Sequence, residues 1–242
     1  MRPKKDKLDK EELSRYSRSI MLPEIGTEGQ LRLCGGKVLV VGCGALGSIV
    51  AMYLAGSGVG HISISDYDTV GLSNLQRQLS FTEHDVGALK TEATERRLRD
   101  INSGIEVLTL PEMITRSKAR ELFGEYDVIV ECSDNPSTKY MVTDVAGEAG
   151  VPVVLGGVSG WTGQVVTLHC GGIRYRDIFP DEPTGCGVLP CAAGGVLGPL
   201  PGVVGSVQAC EVIKLLVGSG ETLGDRMLLI DMKNSEFREV YL

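Results

Sequence analysis

With 242 residues, 43% of them hydrophobic and 23% charged, the chain is long enough to bury a substantial core, which excludes a disordered or low-complexity protein. A formal net charge of -7 gives no general electrostatic footprint for nucleic acid. The seven cysteines are odd in number and form no CxxC pair, so neither a disulfide framework nor a structural zinc site is expected. The Lys- and Asp-rich start has no apolar stretch behind it and fits neither a signal nor a transit peptide, so a cytoplasmic location is expected.

In chain order, residues 9–21 set Leu13, Tyr16 and Ile20 on one helical face and predict a short amphipathic helix carrying Arg15 and Arg18. Residues 37–41 are a β-branched run ending in glycine, and 45–56 read as a helix. Residues 61–66 alternate like a strand, and 87–102 read as a helix. Strands are predicted at 105–110, 127–131 and 151–156, with helices at 117–123 and 136–149 between them. This βα rhythm predicts an α/β fold with a Rossmann-like, doubly wound, mainly parallel sheet.

Beyond Gly160 the rhythm changes. Residues 163–170, 226–232 and 236–241 look like strands, the last two forming a hairpin around Lys233-Asn234-Ser235, so C-terminal antiparallel strands should extend the sheet. The Pro- and Gly-rich stretch 171–201 is too long for an idle connection and reads as a functional loop. The apolar region 194–217 is interrupted by Pro199 and Pro201 and carries Gln208, Glu211 and Lys214, which predicts a buried turn and helix rather than a membrane span. Residues 1–242 are expected to form one domain: a helical segment at 1–35, a nucleotide-binding half at 36–160, and antiparallel strands with a binding loop at 161–242.

Gly42-Cys43-Gly44-Ala45-Leu46-Gly47 lies between a predicted strand and a predicted helix, and Asp66 closes the next strand. Such glycines let the backbone approach a phosphate or ribose, the helix N-terminus favours anions, and the carboxylate accepts ribose hydroxyl hydrogens. The fingerprint alone leaves NAD, FAD and ATP open.

The segment Asp66-Tyr67-Asp68-Thr69-Val70-Gly71-Leu72-Ser73-Asn74-Leu75-Gln76-Arg77-Gln78 resembles the signature of ubiquitin-activating enzymes and of the bacterial ThiF/MoeB/HesA family. Arg15-Tyr16-Ser17-Arg18, Gly87-Ala88-Leu89-Lys90, Glu131-Cys132-Ser133-Asp134-Asn135 and residues 191–209 extend the resemblance in the family's order. It implies an adenylyltransferase that uses ATP and Mg²⁺ to activate the C-terminal glycine of a ubiquitin-like sulfur-carrier protein ending in Gly-Gly. It also implies nucleotide contacts from Gly42, Gly44, Ala45, Gly47, Asp66, Asp68, Ser73, Asn74, Gln76, Arg77, Lys90, Asp134 and Asn135. Asp66 would hold the ribose, Asn74 and Arg77 the phosphates, Lys90 the triphosphate and Asp134 the Mg²⁺. Arg18 would serve the other subunit's site in a homodimer, and Cys191 matches a cysteine that some relatives link to the carrier.

Each residue has a plainer reading: Arg77, Lys90 and Arg18 as surface cations, Asp134-Asn135-Pro136 as a helix start, Cys191 as a packed thiol. The chain departs from the family in one respect. Many relatives hold zinc in two CxxC pairs, whereas Arg174-Tyr175-Arg176-Asp177 stands in the first pair's place and no second pair follows, so a zinc-free branch is expected. A separate sulfur donor is expected as well. The competing functional readings are activation of tRNA threonylcarbamoyladenosine, a NAD-dependent oxidoreductase, and a non-catalytic carrier-binding scaffold; no membrane partner is expected.

Overall fold

The computed structural model describes residues 6–169, 172–182 and 194–242. Cys191 therefore lies outside the described residues. The strands are β1 (Lys37–Val41), β2 (His61–Ser65), β3 (Glu106–Leu110), β4 (Val128–Glu131), β5 (Val153–Ser159), β6 (Thr162–Leu168), β7 (Arg226–Asp231) and β8 (Glu236–Tyr241). They form one sheet in the order β3-β2-β1-β4-β5-β6-β7-β8. The first five are parallel, and β6, β7 and β8 join antiparallel, as the sequence predicts.

Side chains alternate across the pleat, and both faces of the central parallel strands are covered, while β8 is exposed along its length. Val38, Val40, Ile62, Ile64, Val128 and Val130 point to one layer, where α4 (Ala45–Gly56), α5 (Lys90–Ile101) and α9 (Leu200–Val217) supply Leu46, Val50, Leu98, Leu200, Val204 and Val212. Leu39, Val41, Ile129, Val153 and Leu155 point to the other, against Ala119 of α6 (Arg116–Leu122) and Tyr140, Val142 and Val145 of α7 (Pro136–Ala149).

α9 has the length and composition of a membrane-crossing helix. It serves instead as a core helix of the domain: Gly205 brings it against Ile49 and the Leu46 carbonyl of α4. Its buried polar side chains are bonded inside the fold, with Gln208 donating to the carbonyls of Glu131 and Val154 and Glu211 accepting from Thr167 and the Leu223 N–H.

Several boundaries correct the expectations. The N-terminal helix breaks at Tyr16 into α1 (Lys10–Arg15), capped by Asp9, and α2 (Ser17–Ile20). Tyr16 is buried, and its hydroxyl accepts from Asn102 Nδ2 at 2.8 Å, so the chain turns there to seat the ring. A helix that periodicity does not show, α3 (Gly26–Gly35), joins these to the sheet. α5 starts at Lys90 rather than 87, because Gly87 has φ +90° and the Lys90 N–H donates to the Asp68 carbonyl. Within the predicted loop lies a short helix, α8 (Tyr175–Ile178).

Candidate functional site

The sheet order reverses between β1 and β4, and the crevice at the carboxyl ends of these strands is where open α/β sheets bind ligands. A cleft of about 290 Å³ opens there. The turn after β1 forms its floor. Gly42 has φ +94°, and a Cβ on it would stand 3.1 Å from the Cys132 carbonyl; a Cβ on Gly47 would run into the Gly42 carbonyl oxygen. The first glycine therefore makes the turn and the last lets α4 start hard against it. α4 has no side-chain cap, which leaves its first amides for an anionic ligand.

Asp66 stands at the end of β2 with Oδ2 accepting the Cys43 N–H at 2.7 Å and Oδ1 accepting the Asp68 N–H at 2.9 Å. Each oxygen keeps a lone pair for a further donor. Burial raises the Asp66 carboxyl above its ordinary range, and the Lys90 charge and the two N–H bonds oppose that rise. Lys90, at the first turn of α5, is buried and donates to Asp68 Oδ2 at 2.8 Å.

Asn74 accepts the Gly71 N–H at 3.1 Å and holds the turn Leu72–Asn74. Arg77 Nη1 donates to the Ser73 carbonyl at 3.1 Å, which points the guanidinium along the cleft wall. On the far side stand Asp134 and Asn135. The helix-cap reading falls to Asn135, which accepts the Thr138 N–H at 3.3 Å, while Asp134 lines the cleft.

The fold thus gathers Gly42, Gly44, Ala45, Asp66, Asp68, Asn74, Arg77, Lys90, Asp134 and Asn135 around one cavity. Gly47 lies behind the turn. Ser73 and Gln76 stand outside the lining; the Gln76 carbonyl packs so closely on Gly198 that a Cβ there would be 2.6 Å away. Arg18 is exposed on α2, away from this cavity.

Glu131, which the sequence marks only as the start of a motif, and Lys139, which sequence reasoning missed, form a buried ion pair at the cleft wall. Lys139 Nζ also donates to the Gly156 carbonyl at 3.0 Å, and the Glu131 carboxylate accepts both the N–H of Ser133, at 3.0 Å, and its hydroxyl. The available signal was an acid closing an otherwise apolar parallel strand. The neighbouring thiols of Cys43 and Cys132 are buried, Cys132 with an edge on the cleft, and burial pushes both up, which disfavours the thiolate. Among the described residues no cluster of three or more His, Cys, Asp or Glu side chains could hold a metal. A lone carboxylate such as Asp134 suits Mg²⁺ only when nucleotide phosphates complete the shell.

A second cavity runs over the open face of β5 to β8 and shares Lys139, Gly157 and Val158 with the first. Tyr175 and Phe179 overhang it, and Gln164, Leu229 and Arg238 line its bed. Its overhang is fastened by Arg176, which pairs with Asp144 at 3.0 Å and Glu182 at 3.2 Å and lies over the Tyr140 ring.

Sheet, glycine turn and cleft define a Rossmann-type α/β protein built to take a nucleotide. More narrowly, the chain belongs to the ThiF family, whose model matches residues 16–242. It is 43% identical over 241 residues to the adenylyltransferase and sulfurtransferase MOCS3 of Bos taurus, covering 99% of this chain and 53% of that one. The Culex quinquefasciatus protein of the same name is 44% identical, covering 98% and 54%. The chain thus spans about half the length of the curated relatives it matches. Among solved structures, Escherichia coli MccB with ATP superposes with a TM-score of 0.79 at 25% identity, covering 94% of this chain and 71% of that one. PaaA, with a TM-score of 0.82 at 23% identity over 98% and 75%, shows the likeness of fold alone.

Proposed function

We propose that the chain adenylates the C-terminal glycine carboxylate of a ubiquitin-like sulfur-carrier protein, using ATP and Mg²⁺. The observation that carries this reading is the adjacency of two cavities: a nucleotide cleft ringed by Arg77, Lys90 and Asp134 shares Lys139, Gly157 and Val158 as a common wall with a groove over β5 to β8, of a shape able to take an extended protein tail.

In this reaction a carboxylate oxygen attacks the α-phosphorus, the bond to the bridging oxygen breaks, and pyrophosphate leaves. Negative charge grows on both sides of the phosphorus and must be met by fixed donors. The amides of α4 and Asn74 would bind the phosphates, Arg77 and Lys90 would neutralise the departing charge, and Asp66 would fix the ribose. Asp68 would keep the Lys90 ammonium turned towards the nucleotide. Mg²⁺ would be held by Asp134 and the phosphates, where it supplies Lewis-acid neutralisation.

The same reading takes the protein as a cytoplasmic homodimer in which Arg18 of each subunit serves the other's ATP. A separate protein would supply the sulfur that turns the adenylate into a thiocarboxylate. Carrier-dependent ATP–pyrophosphate exchange, with a panel of small carriers ending in Gly-Gly, tests it. Exchange with one carrier, lost in Arg77→Ala and Asp134→Ala, is the expected result; tight ATP binding without exchange on any carrier would overturn it.

A further inference from the structure

Asp134 sits in a loop whose shape is set from beneath. The chain leaves β4 after Glu131, and two residues on, Ser133 folds back so that both its N–H and its hydroxyl bond the Glu131 carboxylate. That carboxylate is fully buried, and its charge is balanced by Lys139, itself nine-tenths buried and anchored to the Gly156 carbonyl at 3.0 Å. The far end of the loop is tied by Asn135, which caps α7, the helix that carries Lys139. Lys139, Glu131 and Ser133 thus make a chain of charged hydrogen bonds that ends one residue short of Asp134. A buried ion pair adds little net stability over an apolar pair of the same size, so fixing geometry is the better account of its presence.

We infer that Glu131, Ser133 and Lys139 are positioning residues that hold the Asp134 carboxylate where it meets a nucleotide-bound divalent cation. The inference rests on the adenylation reading and adds the residues that make its metal position rigid. Outer partners of a metal-binding carboxylate act by fixing its orientation, and losing them weakens metal binding by roughly tenfold or more.

The test is calorimetric titration of ATP in the presence and absence of Mg²⁺, with the ratio of the two affinities as the readout and thermal melting alongside. Ser133→Ala removes one bond from a half-buried position. Glu131→Leu/Lys139→Met removes both charges together, which avoids leaving either one buried and unpaired. Both variants should melt near the wild type and bind Mg²⁺-free ATP equally well, yet lose roughly tenfold of the Mg²⁺-dependent gain, with Lys139→Arg retaining most of it. If the gain vanishes in Asp134→Ala but survives intact in Ser133→Ala and in the double variant, the positioning role is wrong and the adenylation reading stands. If Asp134→Ala leaves the gain untouched, the metal assignment and the adenylation reading fall together.

Discussion

The Lys90 ammonium and the Asp68 carboxylate are joined twice over: their side chains meet at 2.8 Å, and the Lys90 N–H donates to the Asp68 carbonyl at 2.9 Å. The double tie fixes the start of α5 to the end of β2 and leaves a buried cation facing the cleft. Replacing Lys90 with Ala should lower the rate of ATP–pyrophosphate exchange by about 10²–10³, the usual cost of removing one preorganised donor. Asp68→Asn keeps the cation and loses its aim, and should cost about tenfold. Equal losses in the two variants would show that the pair acts as one structural unit instead.

Asp66 gives a pH dependence of definite sign. Burial raises its carboxyl above the ordinary 3.8, so the folded chain binds this proton more tightly than the unfolded one. Its contribution to stability therefore falls as pH rises from 3.8 through the raised value, and is constant above it. Nucleotide affinity should run the other way, weakening as pH falls through the raised value, because a protonated Asp66 offers one acceptor fewer to the ribose. Binding titrations between pH 4 and 7 would show this, and Asp66→Asn should abolish the slope while lowering affinity at every pH.

The N-terminal helices are bolted on by a buried network. Asn102 donates to the Tyr16 hydroxyl at 2.8 Å and to the Ala55 carbonyl at 2.9 Å, and accepts the Gly104 N–H at 3.0 Å. Asn102→Ala removes three hydrogen bonds from a buried position and should cost about 2–3 kcal/mol in chemical denaturation, with Tyr16→Phe costing about 1 kcal/mol. The same network orients α2, so both variants should also weaken whatever Arg18 does. Subunits bearing Arg18→Ala mixed with subunits bearing Asp134→Ala should recover about a quarter to a half of the exchange activity if Arg18 serves its neighbour, since mixed dimers keep one complete site.

Arg176 predicts a salt effect. Its hydrogen bond holds the Asp144 carboxyl below the ordinary range, with a further contribution from Arg116. A depressed carboxyl stabilises the fold fully above the ordinary value of 3.8 and loses that contribution as pH falls through the lowered one. Arg176→Gln should therefore lower the melting midpoint at neutral pH and have progressively less effect in acid. Because the pair is partly exposed, the loss should shrink in 1 M salt. Carrier affinity should suffer as well, since this arginine fastens the overhang of the groove.

What the sequence makes legible is what local chemistry determines. Val38 to Val41 and Val128 to Val130 can hardly be anything but buried parallel strands, and the glycine turn with Asp66 after the second strand locates the cleft. Residues 26–35 stay hidden because Gly26, Gly29 and Gly35 break the apolar stripe, although Gly29 earns its place by letting Val217 approach: a Cβ there would lie 3.0 Å from that side chain. The pairing of Glu131 with Lys139 is hidden for another reason. It crosses from a strand end to a helix through a loop, and no periodicity links the two. The break at Tyr16 depends on Asn102, 86 residues further along.

The packing of α9 on α4 has a consequence for how the molecule is born. Leu46, Val50 and Leu54 leave the ribosome well before Leu200, Val204 and Val212, which belong to the layer that covers them. At synthesis rates of about 5–20 residues per second, that face of the growing chain waits roughly ten to thirty seconds for its lid. Through that interval the nascent sheet carries a bare apolar flank. A mutation at Leu200, Val204 or Val212 should therefore reduce yield more than it reduces activity.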